Sequence, residues 1–539
     1  MVSELWAAVY RPRVPSDDRH SLIIFLHGNH ATCGTGSEPR LDFNTQYTFY
    51  GTCPLDFVVV PNHAGYAYMA DRLASWGYIV VSINANRGVN AAPGMFGDAG
   101  LNLVRGRLVL RHLQRLSEWN TVGGTPESLG VELQGKLDFE HVGLMGHSRG
   151  GEGMRAAYNL YRDPDSPWPA LIPDRITLRA IFEIGAVDGQ TARVLDAEGT
   201  VWNQLLPMCD GDVSNLQGIL PLERMMLAFS ESPSTQKSNW TVWGTNHNFY
   251  NSEWQVSDSG LCRGHSPIWP FPPYFQSEEQ QQIAMAGVMA IMRGNVGRAA
   301  DPRFNRNFNP EFGLPAVVAS LTRIDRGYTD SPNAEVTRLF EDFEQPTGTN
   351  SYGFPNTHSN IQISHAGVPR HHPFQRAGNI SWMAASAATF FQANWSAPGE
   401  GLDTTAFQTL DLRVSRMDSP QNPAGPTNFS LRLVDAAGTL SVPVQLASYT
   451  DLRGPVGGPP AILHPILQTA RIPLRVFAGV DRTQIRAVRL TFDDTPTGAI
   501  FVANIRLSTR TGLGGDVEDP PEKPTEPALA CVQPSRSAK

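Results

Sequence analysis

Up to residue 298 the chain alternates short apolar runs with stretches of helical spacing, the grammar of a mostly parallel sheet with helices on both faces. Runs at residues 21–26, 77–83, 141–145, 179–184, 205–208 and 239–243 read as buried strands. Between them, Leu101, Val104 and Leu108, then Val109, Leu113 and Leu116, mark a helical stripe. Residues 278–292 predict a late helix, closed by Gly294. The opening run, 5–10, is expected to pair antiparallel with the first buried strand, 21–26.

Beyond residue 298 the pattern changes. Residues 299–336, polar and irregular from Asn305 to Pro310, are expected to be a linker. From 337 to 510, runs such as 411–414, 429–434, 472–477 and 488–492 alternate with period two between Gly, Pro and Asp turns. That predicts a β-sandwich or jelly roll, so the expected class is an α/β domain followed by an all-β domain. Residues 511–539, with Asp-Pro-Pro-Glu-Lys-Pro-Thr-Glu-Pro, read as a flexible tail, and no internal repeat is visible.

Composition narrows the function classes. The 539 residues are 41% hydrophobic and 17% charged, which excludes disorder over the whole chain. A net charge of −8 argues against a dedicated nucleic-acid binder. No apolar run approaches the ~20 residues of a membrane span. The basic residues include only four lysines, Lys136, Lys237, Lys523 and Lys539, a bias resembling that of high-GC bacteria. The residues from Met1 to Trp6 read as structure and not as a leader, which leaves a cytoplasmic protein or one whose leader lies outside this sequence. Of the five cysteines, Cys33, Cys53, Cys209, Cys262 and Cys531, no pair has zinc-knuckle spacing. They are expected to form two disulfides with one thiol left over, the alternative being buried free thiols. No metal is expected.

The strongest chemical signal is Gly146-His147-Ser148-Arg149-Gly150-Gly151, which follows a buried strand and precedes a helix-compatible stretch. Strand, glycine-flanked serine and helix are the context of a nucleophile elbow, in which Ser148 stands on a strained turn at a helix N-terminus. A structural glycine-rich turn is the bland alternative. A serine nucleophile needs a base, an acid and an oxyanion site, and with this elbow the chain order is Ser, acid, His. His247, in the loop after the last sheet strand, is the expected base; His265 is the runner-up. His358, His365, His371 and His372 fall in the second domain. After the preceding strand come Asp210 and Asp212, and Asp212 is preferred because it lies further past the strand end, with the other free to cap. Asp188 is a weaker choice. The Arg149 and Asn29 amides are the expected oxyanion donors, Asn29 lying in His27-Gly28-Asn29-His30 after the first buried strand. His27 and His30 read as loop-supporting residues and not as metal ligands.

Over residues 1–298 these motifs resemble the α/β-hydrolase superfamily. The Gly-His-Ser-x-Gly-Gly form is similar to that of chlorophyllases, platelet-activating-factor acetylhydrolases and cutinase-like hydrolases, with Arg149 the chlorophyllase-like choice. The resemblance implies a serine esterase that needs no cofactor, acting as a monomer on an ester, hydrophobic or polymeric. In some cutinase-like enzymes a cysteine three residues before the catalytic Asp pairs with one beyond the catalytic His. Cys209 and Cys262 stand in those places around Asp212 and His247, which implies a Cys209–Cys262 bridge, leaving Cys33 and Cys53 to close the insertion after the oxyanion strand. Two disulfides imply a secreted or periplasmic protein. That insertion and the loop after His247 are longer than in compact cutinases. The aromatic residues Trp240, Trp243, Phe249, Tyr250, Trp254, Trp269, Phe271, Tyr274 and Phe275 read either as an acyl-binding wall or as core. Two other functions remain: an amidase or peptidase with the same residues, and a glycan- or polymer-binding protein with an inert hydrolase half.

Overall fold

The computed structural model describes residues 4–13, 18–35, 45–46, 52–90, 92–227, 235–255, 257–258, 277–330, 337–346, 348–369, 372–454 and 465–510. Its first half is built on eight strands: β1 (Ala7–Tyr10), β2 (His20–Leu26), β3 (Ile79–Ile83), β4 (Leu137–His147), β5 (Leu178–Ile184), β6 (Val201–Pro207), β7 (Lys237–Val242) and β8 (Ile324–Thr329). They form one sheet in the order β1-β3-β2-β4-β5-β6-β7-β8, in which β2 to β7 are parallel and the two edge strands antiparallel. Successive residues of β2 feed opposite faces. Leu22, Ile24 and Leu26 join a core with Leu108 and Leu113 of α2 (Asn102–Val122), Met154 and Ala157 of α3 (Arg149–Arg162) and Leu222 of α4 (Leu220–Leu227). Ile23 and Phe25 join Met69 and Leu73 of α1 (Ala67–Ala74) and Ile283, Val288 and Ile291 of α5 (Ser277–Asn295). Burial on both faces is why the central strands are apolar almost throughout.

Two expectations need correction. The opening strand β1 pairs with β3, not with β2: Ala7 lies opposite Ile83 and Tyr10 opposite Val80, because both edges of β2 are taken by β3 and β4. The stretch 299–336, expected as a linker, contributes β8, registered on β7 from Lys237↔Thr329 to Val242↔Ile324. Its sequence, Ile-Asp-Arg-Gly-Tyr-Thr, hides a strand because it lies at the edge of the sheet, where polar side chains find partners in flanking loops: Asp325 with Trp243 and Arg323, and Arg326 with the carbonyls of Asn307, Asn309 and Phe312.

The second half is a pair of antiparallel sheets. One contains β9 (Thr337–Glu341), β11 (Ile361–Val368), β12 (His372–Trp382), β14 (Thr409–Arg416), β17 (Gln468–Pro473) and β19 (Gly498–Ser508). The other contains β10 (Thr357–Ser359), β13 (Phe390–Asn394), β15 (Ser430–Asp435), β16 (Val444–Gln445) and β18 (Ile485–Thr491). Their inner faces share one apolar core that includes Trp382, Phe391, Leu412, Leu431, Leu490 and Ile500. The tail, 511–539, lies outside the described residues. No described helix is long and apolar enough to cross a membrane.

The two halves meet across buried ion pairs. Arg413 of β14 grips Glu223 of α4 with two hydrogen bonds, Nη1 to Oε2 at 2.8 Å and Nη2 to Oε1 at 2.5 Å. Arg471 of β17 pairs with Asp330, just past β8, and Arg510 with Glu311. The Tyr328 amide of β8 donates to Thr469 Oγ1 (3.0 Å), and its carbonyl accepts from Arg506 Nη2 (2.9 Å).

Candidate active site

Ser148 stands between β4 and α3 at φ 56° and ψ −127°, a conformation that only glycine adopts without strain. The turn is held by the Ser148 amide donating to the Ile184 carbonyl of β5 (2.8 Å) and by the Gly151 amide donating to the Ser148 carbonyl (2.9 Å). Its glycines are sterically required. A Cβ at Gly146 would lie 2.4 Å from the Gly150 carbonyl oxygen, and one at Gly150 would lie 2.3 Å from that of Leu26. Arg149 is the first residue of α3, so its amide belongs to the helix N-terminus.

Gly28 packs directly on the serine, since a Cβ there would fall 2.5 Å from Ser148 Cβ. The loop from His27 to Ala31 is therefore fixed against Ser148, and buried polar groups hold it from behind. His27 Nε2 accepts from the Ala85 amide (2.8 Å), which leaves Nδ1 to donate to the Gly28 carbonyl (2.8 Å). Burial drives His27 down to about 3, so it works as a neutral strut. Asn62 Nδ2 donates to the Ala31 carbonyl (2.8 Å) and Asn90 Nδ2 to that of His30 (3.1 Å). Arg105 of α2, fully buried, donates to Asn90 Oδ1 (2.8 Å) and Asn29 Oδ1 (3.3 Å).

The loops after β6 and β7 bring the candidate acid and the candidate base together. The Cys209 amide donates to the Thr245 carbonyl (2.8 Å), tying one loop to the other. His247 Nδ1 donates to Asp210 Oδ2 at 2.7 Å, with both side chains fully buried. Asp210 is clamped at its other oxygen, where Oδ1 accepts from the amides of Asp212 (3.0 Å) and Val213 (2.6 Å). The carboxylate at Nδ1 is thus Asp210, not the preferred Asp212, because the first aspartate folds back to cap its own turn and in doing so points at the imidazole. Asp212 lies on the opposite side of the ring, 3.5 Å from Nε2, with its side chain 62% exposed. Asp188 is engaged elsewhere, by Arg155 and Arg224.

His247 lies beside the serine turn. Its ring is 4.8 Å from that of His147, the residue before Ser148, and a Cβ at Gly185, just after Ile184, would fall 2.9 Å from His247 Nδ1. No hydrogen bond joins Ser148 to His247, whose Nε2 has no hydrogen-bond partner among the described residues. Burial opposes charge on this imidazole, but Asp210, by attraction and by its hydrogen bond, outweighs that with help from Asp212 and Asp258 and pushes His247 up to about 9. Burial instead keeps His147 and His30 well below the ordinary histidine value. His147 Nδ1 shares a 2.8 Å hydrogen bond with the Tyr66 hydroxyl. Ser148 is 3% exposed.

Of the remaining expectations, Cys33 and Cys53 are joined in a disulfide. Cys209 is also disulfide-bonded, while Cys262, His265 and Cys531 lie outside the described residues. Trp240 packs on Phe308 in the core, and Trp243 donates from its indole to Asp325 Oδ2 (2.8 Å). Trp269, Phe271, Tyr274 and Phe275 lie outside the described residues. Among the described residues no cluster of side chains could hold a metal. Sequence reasoning missed Arg105, Asn62 and Asn90; the signal was that Arg105, unlike Arg107, Arg111 and Arg115, falls on the apolar stripe, four residues after Leu101 and three before Leu108.

The chain matches no family model and no curated protein. Solved structures similar to part of it include the family 11 carbohydrate-binding module of a cellulosomal cellulase of Clostridium thermocellum, 13% identical, over 32% of this chain and 95% of that one, at a TM-score of 0.22. The same kind of module in complex with a β-1,3-1,4-mixed-linked tetrasaccharide is 14% identical over 32% and 96%, also at 0.22. A family 30 carbohydrate-binding module of another cellulosomal cellulase from that organism is 6% identical over 33% and 99%, at 0.24. Likeness at this level carries no argument about function.

Proposed function

We propose that the protein is a serine hydrolase that cleaves carboxylic esters through an acyl-enzyme on Ser148, as in the α/β-hydrolases it resembles. One observation carries the reading: Ser148 occupies a strained strand-to-helix turn beside the buried Asp210–His247 pair. Strain of about 1–3 kcal/mol at a single serine calls for a functional reason.

In this mechanism Ser148 Oγ attacks the ester carbonyl carbon while His247 Nε2 takes the hydroxyl proton. Asp210 holds the imidazole with Nδ1 protonated and stabilises the imidazolium. The Arg149 and Asn29 amides receive the tetrahedral oxyanion; one such donor is worth about 2.7–4 kcal/mol of barrier. The bond to the alcohol breaks as His247 returns its proton to the leaving oxygen. Water then adds to the acyl carbon, giving a proton to His247, and the Ser148 ester bond breaks as that proton returns to Oγ. The absence of a Ser148–His247 hydrogen bond is common before substrate binds. The Cys33–Cys53 disulfide supports a secreted or periplasmic setting.

The test is labelling by a fluorophosphonate probe together with hydrolysis of p-nitrophenyl esters from acetate to long acyl chains, with matched amides alongside. Wild type should label and turn over, and Ser148→Ala should lose both, the latter by about 10⁶-fold in kcat. Labelling that survives in Ser148→Ala removes this serine from the mechanism. Because only neutral imidazole accepts a proton, the rate should fall as pH drops through about 9.

A further inference from the structure

If His247 is the base, it is surrounded by more negative charge than the role requires. Asp210 serves Nδ1. Asp258 has a structural task, its Oδ2 accepting from the amides of Gly211 (2.7 Å) and His247 (3.2 Å) and its Oδ1 from that of Asn248 (3.1 Å). Asp212 has neither role. Its carboxylate accepts no hydrogen bond from a described residue, and it stands 3.5 Å from Nε2, the atom that must receive the serine proton.

The other groups facing the ring do not offset this excess. His147 and His30, with ring centroids 4.8 and 6.5 Å away, are neutral because burial disfavours their charged forms. Tyr66 and Tyr250, packed on His147, stay protonated for the same reason. Arg105 bears on His27 and His30. Among the described residues Nε2 therefore has one charged neighbour on its open side, Asp212, and its side chain, 62% exposed, can swing into solvent.

Building on the hydrolase reading, we propose that Asp212 is a positioning residue that competes with Ser148 for His247. Paired with Nε2, it holds the imidazole as a cation disengaged from the serine. Rotated into water, it frees Nε2 for proton transfer. The resting site is then self-suppressed, most strongly at low pH, where the imidazolium is favoured, and at low ionic strength, where an exposed carboxylate attracts it best.

The experiment titrates histidine-labelled full-length protein by NMR, with the His247 signal assigned by its loss in His247→Gln. Alongside it, kcat and KM for a short p-nitrophenyl ester are measured against pH in wild type, Asp212→Asn and Asp212→Ala. Both Asp212 variants should move the His247 titration and the acid limb of kcat down by about one pH unit, the effect of a unit charge 3.5 Å away screened by water. Well below the wild-type limb, kcat should rise about tenfold with KM little changed, and added salt should narrow the gap. A collapse of kcat at every pH would overturn the proposal by making Asp212 an obligatory acid. Ser148-dependent hydrolysis with no shift in either variant would overturn this proposal alone. A shifted His247 without Ser148-dependent hydrolysis would instead sink the hydrolase reading beneath it.

Discussion

Two of the places where the molecule buries charge follow opposite rules. Between the halves, the guanidiniums of Arg413, Arg471 and Arg510 face the carboxylates of Glu223, Asp330 and Glu311, so positive and negative charge balance. Around His247, three carboxylates converge on one group whose charge depends on pH. Fixed, matched charges specify how surfaces meet and change little with conditions. An unbalanced set around a titratable ring stores a bias that a reaction can use. Burial alone does not separate a structural ion pair from a chemical one; the surplus does.

The contrast is tested most severely at Asp210. Asp210→Asn should lower kcat by about 10⁴-fold while the protein stays folded, because the amide no longer holds the imidazole in its productive tautomer; circular dichroism with ester kinetics checks both halves of that statement. At the interface the expected loss is of stability and not of rate. Glu223→Gln strands the buried Arg413 charge and should cost about 3–5 kcal/mol in denaturant unfolding with kcat unchanged. The double variant Glu223→Leu with Arg413→Met should recover most of that loss. The smallest effect is at the turn itself: Ser148→Gly should be about 1 kcal/mol more stable than Ser148→Ala, since glycine accepts φ 56° freely. Equal stabilities would mean that the turn stores no strain.

Legibility followed locality. The elbow could be read because its glycines and serine stand together in six consecutive residues, Gly146 to Gly151, even though Gly150 and Gly151 answer to Leu26 and Ala186 elsewhere in the chain. The strands of the sheet interior could be read because each is buried on both faces. The edges were harder: β1 was read as an antiparallel strand but with the wrong partner, and β8 was missed, because both are decided by which neighbours leave an open edge, a fact written nowhere in residues 7–10 or 324–329. The choice between Asp210 and Asp212 turned on a side chain folding back over two amides, and both aspartates fit the spacing equally well. Arg105 acts on Asn29 from 76 positions along the chain, beyond any local pattern.

The placement of β8 bears on how such a protein could be taken apart or recombined. This strand completes the first sheet while its Tyr328 backbone is bonded to Thr469 and Arg506 of the second. A cut at residue 298, where the composition changes, would strip the first half of its border strand and uncover the ladder of β7. The seam in the amino-acid pattern is not the seam in the molecule, and grafting either half onto a new neighbour would require a recipient shaped to receive that shared edge.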